Sequence, residues 1–121
     1  MRVREILRAP RAILAPETGV AEALVRLREC GVSSLPVADG DGALLGVVTR
    51  AELAGRPVVT GEAAPETVRE LLSPRLVTAT PEMDAARVAE MMRYKGMENI
   101  MVAEGRTLVG ALSLEEASRA V

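Results

Sequence analysis

Histidine, phenylalanine and tryptophan are absent from this 121-residue chain, which holds one tyrosine and one cysteine. Without histidine there is no Ser-His or Cys-His nucleophile, and both the commonest general base and the commonest metal ligand are missing. A catalyst would need a carboxylate or Lys95 as its base, and no spacing gathers such groups, so the chain is read as no enzyme and as holding no metal site. Without aromatic platforms, bases cannot be held by stacking. Fifteen basic residues stand against 17 acidic ones, a net charge of -2, so no global field draws nucleic acid. A lone Cys30 forms no intramolecular disulfide and reads as a small apolar residue buried at a helix end. No apolar run has the length of a membrane span or the layout of a signal peptide. The expectation is a cytoplasmic protein with neither nucleic acid nor membrane as partner.

What is present is aliphatic: 49% of the residues are apolar, enough for a packed interior of Val, Leu, Ile, Ala and Met. The run Gly31-Val32-Ser33-Ser34-Leu35-Pro36-Val37, closed by Gly46-Val47-Val48-Thr49-Arg50-Ala51-Glu52, reads as helix stop, strand, turn, strand and new helix. The order recurs between Gly96 and Ala117, one residue shorter, with Glu104-Gly105-Arg106 in place of the turn Asp39-Gly40-Asp41-Gly42. Val68-Arg69-Glu70-Leu71-Leu72 repeats Val3-Arg4-Glu5-Ile6-Leu7, and Thr80-Pro81-Glu82 repeats Ala15-Pro16-Glu17. A constant offset through these points marks an internal duplication.

Within each unit the expected elements follow from period and punctuation. Residues 3–7 open with a short helix, and 12–14 form a short strand. Val20, Ala23, Leu24, Leu27 and Cys30 lie on one face of a helix over 20–30, started at Gly19 and stopped at Gly31. Strands over 35–38 and 43–49 pair across the Asp-Gly turn. That turn lacks the glutamate and spacing of a calcium loop and is read as a plain hairpin. Residues 54–64 form a connector. A second helix over 85–95 has Asp84 as a better N-cap than Gly19, with Met91 and Met92 filling gaps in an aromatic-free core.

Two tandem units of this kind resemble the CBS domain pair, or Bateman module, over nearly the whole chain. The resemblance implies an α/β (α+β) fold of two β-α-β-β-α repeats, 1–64 and 65–121, packed about a pseudo-twofold axis. It also implies a flat homodimer and a regulated partner protein. The work it implies is sensing of an adenine nucleotide (AMP, ADP or ATP) or S-adenosylmethionine in clefts between repeats, with no prosthetic group.

In that family a Thr or Ser and an acid three residues later hold phosphate and ribose, which here assigns Thr49 with Glu52 and Ser113 with Glu116. Both acids are Glu where the pattern has Asp. Ser/Thr-x-x-Glu is also the capping box of a helix start, and both roles stand on the sequence. Ser33 and Ser34 stand just ahead of Leu35-Pro36, where phosphate binders of the family carry basic residues, and Pro36 is counted with them as a ligand contact. Glu98 and Asn99 hold the same place in the second unit, and Glu98 would repel a phosphate in a shared cleft. Arg50 is the remaining phosphate partner. Thr78 and Thr80 match the family's Thr ahead of the first-strand Pro. A single working cleft would draw on both repeats, with Thr49, Arg50 and Glu52 or Thr78, Ser113 and Glu116 as its polar core.

Overall fold

A computed structural model describes residues 1–54, 67–72 and 76–119. In chain order these form α1 (Val20–Cys30), β1 (Ser34–Ala38), β2 (Leu44–Thr49), α2 (Arg50–Ala54), β3 (Thr78–Ala79), α3 (Ala85–Lys95), β4 (Asn99–Glu104), β5 (Thr107–Ser113) and α4 (Leu114–Arg119). Apart from Ala54, the connector expected over 54–64 lies outside the described residues, as does the boundary at 64–65.

Both long helices keep their expected limits because each ends on a glycine in the left-handed region, Gly31 at φ 66° and Gly96 at φ 71°. There the Gly N–H groups return to Arg28 and Arg93, and the following Val32 and Met97 N–H groups to Leu27 and Met92. Orphan carbonyls of the last turn are thereby satisfied. Asp84 does not cap as expected, since its carboxylate makes no hydrogen bond at the start of α3. The Met1 carbonyl accepts from Ala85 N–H, the first of the helix, and the Met1 ammonium stands 3.9 Å from Asp84 Oδ1.

Met1 belongs to an arm that crosses from the other repeat. Arg2 bridges Asp84, and at the equivalent place Thr67 bridges Gly19. Val3 and Arg4 N–H donate to the Met83 and Pro81 carbonyls, while Val68 and Arg69 N–H donate to Thr18 and Pro16. The helix expected over 3–7 is a single 3-10 turn, Val3–Glu5, matched by Val68–Leu71, because Ile6 leaves the helical region at φ -129° and the Arg8 N–H that would continue the helix donates to Ala111 on β5. Val3 is fully buried among Ala79, Val88, Met92 and Leu112, and Val68 and Leu71 are buried among Leu14, Leu27, Leu35 and Val48. Each of the two cores is thus completed by the opening turn of the other repeat.

The strand expected over 12–14 reduces to one bridge, Leu14 with Val37, whereas β3 makes two pairs with Met101 and Val102. Pro36 explains the difference. It stands where Met101 stands in the second repeat and has no N–H to extend the parallel ladder toward Ala12. The hairpins pair Ser34 with Thr49 and Asn99 with Ser113 in matching register. At the first turn, Asp39 Oδ1 accepts from Asp41 and Ala43 N–H at 2.9 and 3.0 Å, so the carboxylate closes the hairpin. Ala43 leaves β2 to bridge Thr107, joining the two hairpin tips. Met92 is buried and Met91 packs beside the core. Cys30 is half-buried, at the last residue of α1, and not buried as expected.

Candidate functional site

The two Ser/Thr-x-x-Glu motifs start α2 and α4, and each is anchored by the other side of its own repeat. Arg50 N–H donates to the Ser33 carbonyl and Leu114 N–H to the Glu98 carbonyl, both at 2.8 Å. Glu52 N–H donates to Thr49 Oγ1 at 3.2 Å, and Glu116 N–H to Ser113 Oγ at 3.0 Å. From there the motifs diverge. Glu116 Oε1 also accepts from Ser113 N–H at 3.2 Å, which closes the capping box. Among the described residues Glu52 makes no such return bond, and its side chain is exposed.

Glu116 has a further partner, Arg8, whose Nε pairs with Oε2. Arg8 is held there by its backbone, which exchanges hydrogen bonds of 2.9 and 2.7 Å with Ala111 on β5. The crossing arm therefore delivers a cation to the second repeat's motif. A carboxylate offers about four lone-pair sites, so Glu116 keeps acceptor capacity beyond the cap and the Arg8 pair.

These groups border a cleft of ≈ 690 Å³ between the repeats. Five of the residues expected from the sequence line it: Ser33, Ser34 and Pro36 from the first repeat, and Ser113 and Glu116 from the second. The other five, Thr49, Arg50, Glu52, Thr78 and Thr80, do not. The Arg50 guanidinium instead donates to the Val32 carbonyl at 3.1 Å. Thr78 sits half-buried on β3 opposite Met101, and Thr80 is exposed just beyond it. Asn99 Nδ2 donates to Ser33 Oγ at 3.3 Å, tying the two repeats together at the cleft.

Sequence reasoning missed the cationic wall. Arg8 and Arg11 line the cleft from the crossing arm, and Arg119 lines it from α4, where it pairs with Glu115. Glu98, Glu115 and Glu116 lie on the same cleft, so its wall carries three guanidinium groups and three carboxylates. The only sequence sign of that wall was the pair of arginines in Arg8-Ala9-Pro10-Arg11, which lies in the first repeat and points to no cleft until the arm is seen to cross.

A second hollow, bordered by Met83, Asp84, Arg87, Val88 and Met91, contains none of the expected site residues. Among the described residues no cluster of three metal-ligating side chains occurs, and no helix is long and apolar enough to cross a membrane.

The sequence matches the family model for the CBS domain twice, over residues 3–58 and 68–121. It is 24% identical over 112 residues to the CBS domain-containing protein YhcV of Bacillus subtilis, covering 93% of this chain and 79% of that protein. The fold superposes with a TM-score of 0.83 on CBSX2 in complex with AMP, at 23% identity, covering 98% of this chain and 94% of the other. The CBS domain pair of protein MJ0100, solved with 5′-methylthioadenosine and S-adenosyl-L-methionine, superposes with a TM-score of 0.78 at 24% identity, covering 98% and 94%.

Proposed function

The chain belongs to the CBS domain family, as two domains in tandem, and from that premise we propose that its inter-repeat cleft is a sensor site for an adenosine-containing ligand. The observation that carries this reading is the meeting of Ser33–Pro36 of one repeat with Ser113 and Glu116 of the other around a single cleft. The Ser113 hydroxyl accepts from the helix but keeps its own proton to donate, and Glu116 keeps lone pairs for two ribose hydroxyls. Arg8 and Arg11 supply cationic groups near the ligand's 5′ end. AMP is bound by CBSX2, and 5′-methylthioadenosine and S-adenosyl-L-methionine by the MJ0100 pair, which supports the choice of ligand class.

Thr49, Arg50 and Glu52 are assigned by the same reading to a second, equivalent position, while Thr78 and Thr80, expected beside Ser113 and Glu116, take the places of Ile13 and Ala15 and are given no part in either cleft. The counterparts of Arg8 to Pro10 in the second repeat, by the constant offset, are residues 73–75, which lie outside the described residues. The repeats are taken as 1–64 and 65–121, the assembly as a homodimer, and the output as contact with a regulated protein. Occupancy would be tested by thermal denaturation with AMP, ADP, ATP, S-adenosylmethionine and NAD. A ligand at 100 times its Kd stabilises by about 2.7 kcal/mol. If all five leave the melting temperature unmoved at millimolar concentration, the sensor reading fails.

A second reading has its own observation: the complete capping box at Ser113 and Glu116, reinforced by Arg8, is a self-sufficient structural device. On that reading the module is an interaction domain without ligand. Glu116→Gln, which keeps a capping-box acceptor, separates the two: on the first reading it weakens the thermal response to ligand, whereas on the second the parent has no response to lose.

A further inference from the structure

The charge pattern of the cleft carries an inference about the ligand's 5′ arm. The three guanidinium groups of Arg8, Arg11 and Arg119 balance the carboxylates of Glu98, Glu115 and Glu116. Two of each are already joined, Arg8 to Glu116 and Arg119 to Glu115. Among the described residues Arg11 and Glu98 enter no ion pair, so the cleft offers an incoming molecule one cation and one anion. Glu98 stands on the loop ahead of β4, fixed by its carbonyl's bond to Leu114 N–H, and Arg11 stands on the crossing arm three residues beyond the anchored Arg8. The two charges thus reach the cleft from different repeats.

A polyphosphate brings several negative charges into a wall with no excess of cations and three carboxylates, where each like-charge approach opposes binding. An uncharged arm leaves Arg11 and Glu98 unused. An α-amino acid arm fits both, its carboxylate accepting from the Arg11 fork and its ammonium donating to Glu98. The volume of ≈ 690 Å³ is within the range of small-molecule sites and admits any of these ligands, so charge rather than size selects among them.

We propose that this cleft selects an adenosine compound whose 5′ substituent is a zwitterionic amino acid, with Arg11 and Glu98 as the specificity-determining residues. The inference rests on the sensor reading above and names the ligand class for the same site. Isothermal titration of the full chain with S-adenosylhomocysteine, 5′-methylthioadenosine, AMP and ATP tests it. The expected order places S-adenosylhomocysteine at least about tenfold tighter than 5′-methylthioadenosine, which lacks the amino acid, and tighter again than ATP. Arg11→Gln and Glu98→Gln each bring the ratio between the first two ligands toward one, whereas Tyr94→Ser, an exposed change outside the cleft, keeps it. Arg11 and Glu98 are exposed, so both variants are expected to fold, which unliganded melting checks. Equal affinity for the first two ligands, or tightest binding of AMP or ATP, overturns the selectivity while leaving the sensor reading intact. Absence of binding by all four overturns both.

Discussion

The starts of α2 and α4 carry the same motif and the same anchoring bond, yet only one of them belongs to the described cleft. Thr49 and Glu52 form a half-closed cap on an exposed helix start. Ser113 and Glu116 form a complete cap that also meets Arg8, and they face Ser33 and Ser34 across the cleft. The lesson is that the motif sets a local conformation, while the chemistry at its rim is set by what the other repeat's arm brings to it.

That difference can be broken most strongly at two glycines that hold the same place on β2 and β5. A Cβ on Gly110 would lie 2.6 Å from Leu7 Cδ1 and 2.9 Å from the Arg8 carbonyl oxygen, which is backbone and cannot yield. A Cβ on Gly46 would lie 2.9 Å from Leu72 Cδ2, the end of a side chain that can rotate away. Chemical denaturation is expected to show Gly110→Ala destabilised by about 2 kcal/mol and Gly46→Ala by about 1 kcal/mol. Gly110→Ala would also loosen the Arg8–Ala111 bridge, readable as faster amide exchange at both residues. Equal losses for the two variants would mean that the arms are held alike.

The caps give the next largest contrast. Glu116→Ala removes the return bond to Ser113 N–H and the Arg8 pair, an expected loss of about 1 kcal/mol. Glu52→Ala removes no described bond and should cost under about 0.5 kcal/mol by the same denaturation curves. A larger loss at Glu52 than at Glu116 would reverse the assignment of the complete cap.

The smallest effect concerns the ion pairs that tie each arm down. Arg69 pairs with Glu17 at 2.9 Å, as Arg4 does with Glu82 in the other repeat. The hydrogen bond from Arg69 holds the Glu17 carboxyl below its usual value of 4.5. A depressed carboxyl stabilises the fold above its unfolded value, and that contribution is lost as pH falls through the lower, folded value. Since Glu17 is fully exposed, the effect should be slight and vanish in high salt. Acid titration of Arg69→Ala beside the parent checks it, and a salt-independent difference would show that the pair is not solvent-screened.

Much of this was legible beforehand because it is local. Both long helices kept their limits since apolar spacing and a stop glycine act within a few residues, and the hairpins follow from glycine and aspartate at the turns. Differences arose where a distant segment supplied a partner: at the start of α3, where the Met1 carbonyl accepts from Ala85 N–H, and after residue 5, where the Arg8 N–H goes to Ala111 on β5 and not into a longer helix. The lost strand over 12–14 was readable in principle, because Pro36 announces its missing donor once the parallel pairing is known.

The sequence by itself determined the duplication, the family and five residues of the cleft, since repeated spacing and caps are written in neighbouring positions. Which residues charge that cleft was decided only by tertiary structure. Arg8 and Arg11 reach the second repeat because Val3, Ile6 and Leu7 bury their side chains in its core. Such burial is non-directional and leaves no mark in the local pattern to say which core is filled.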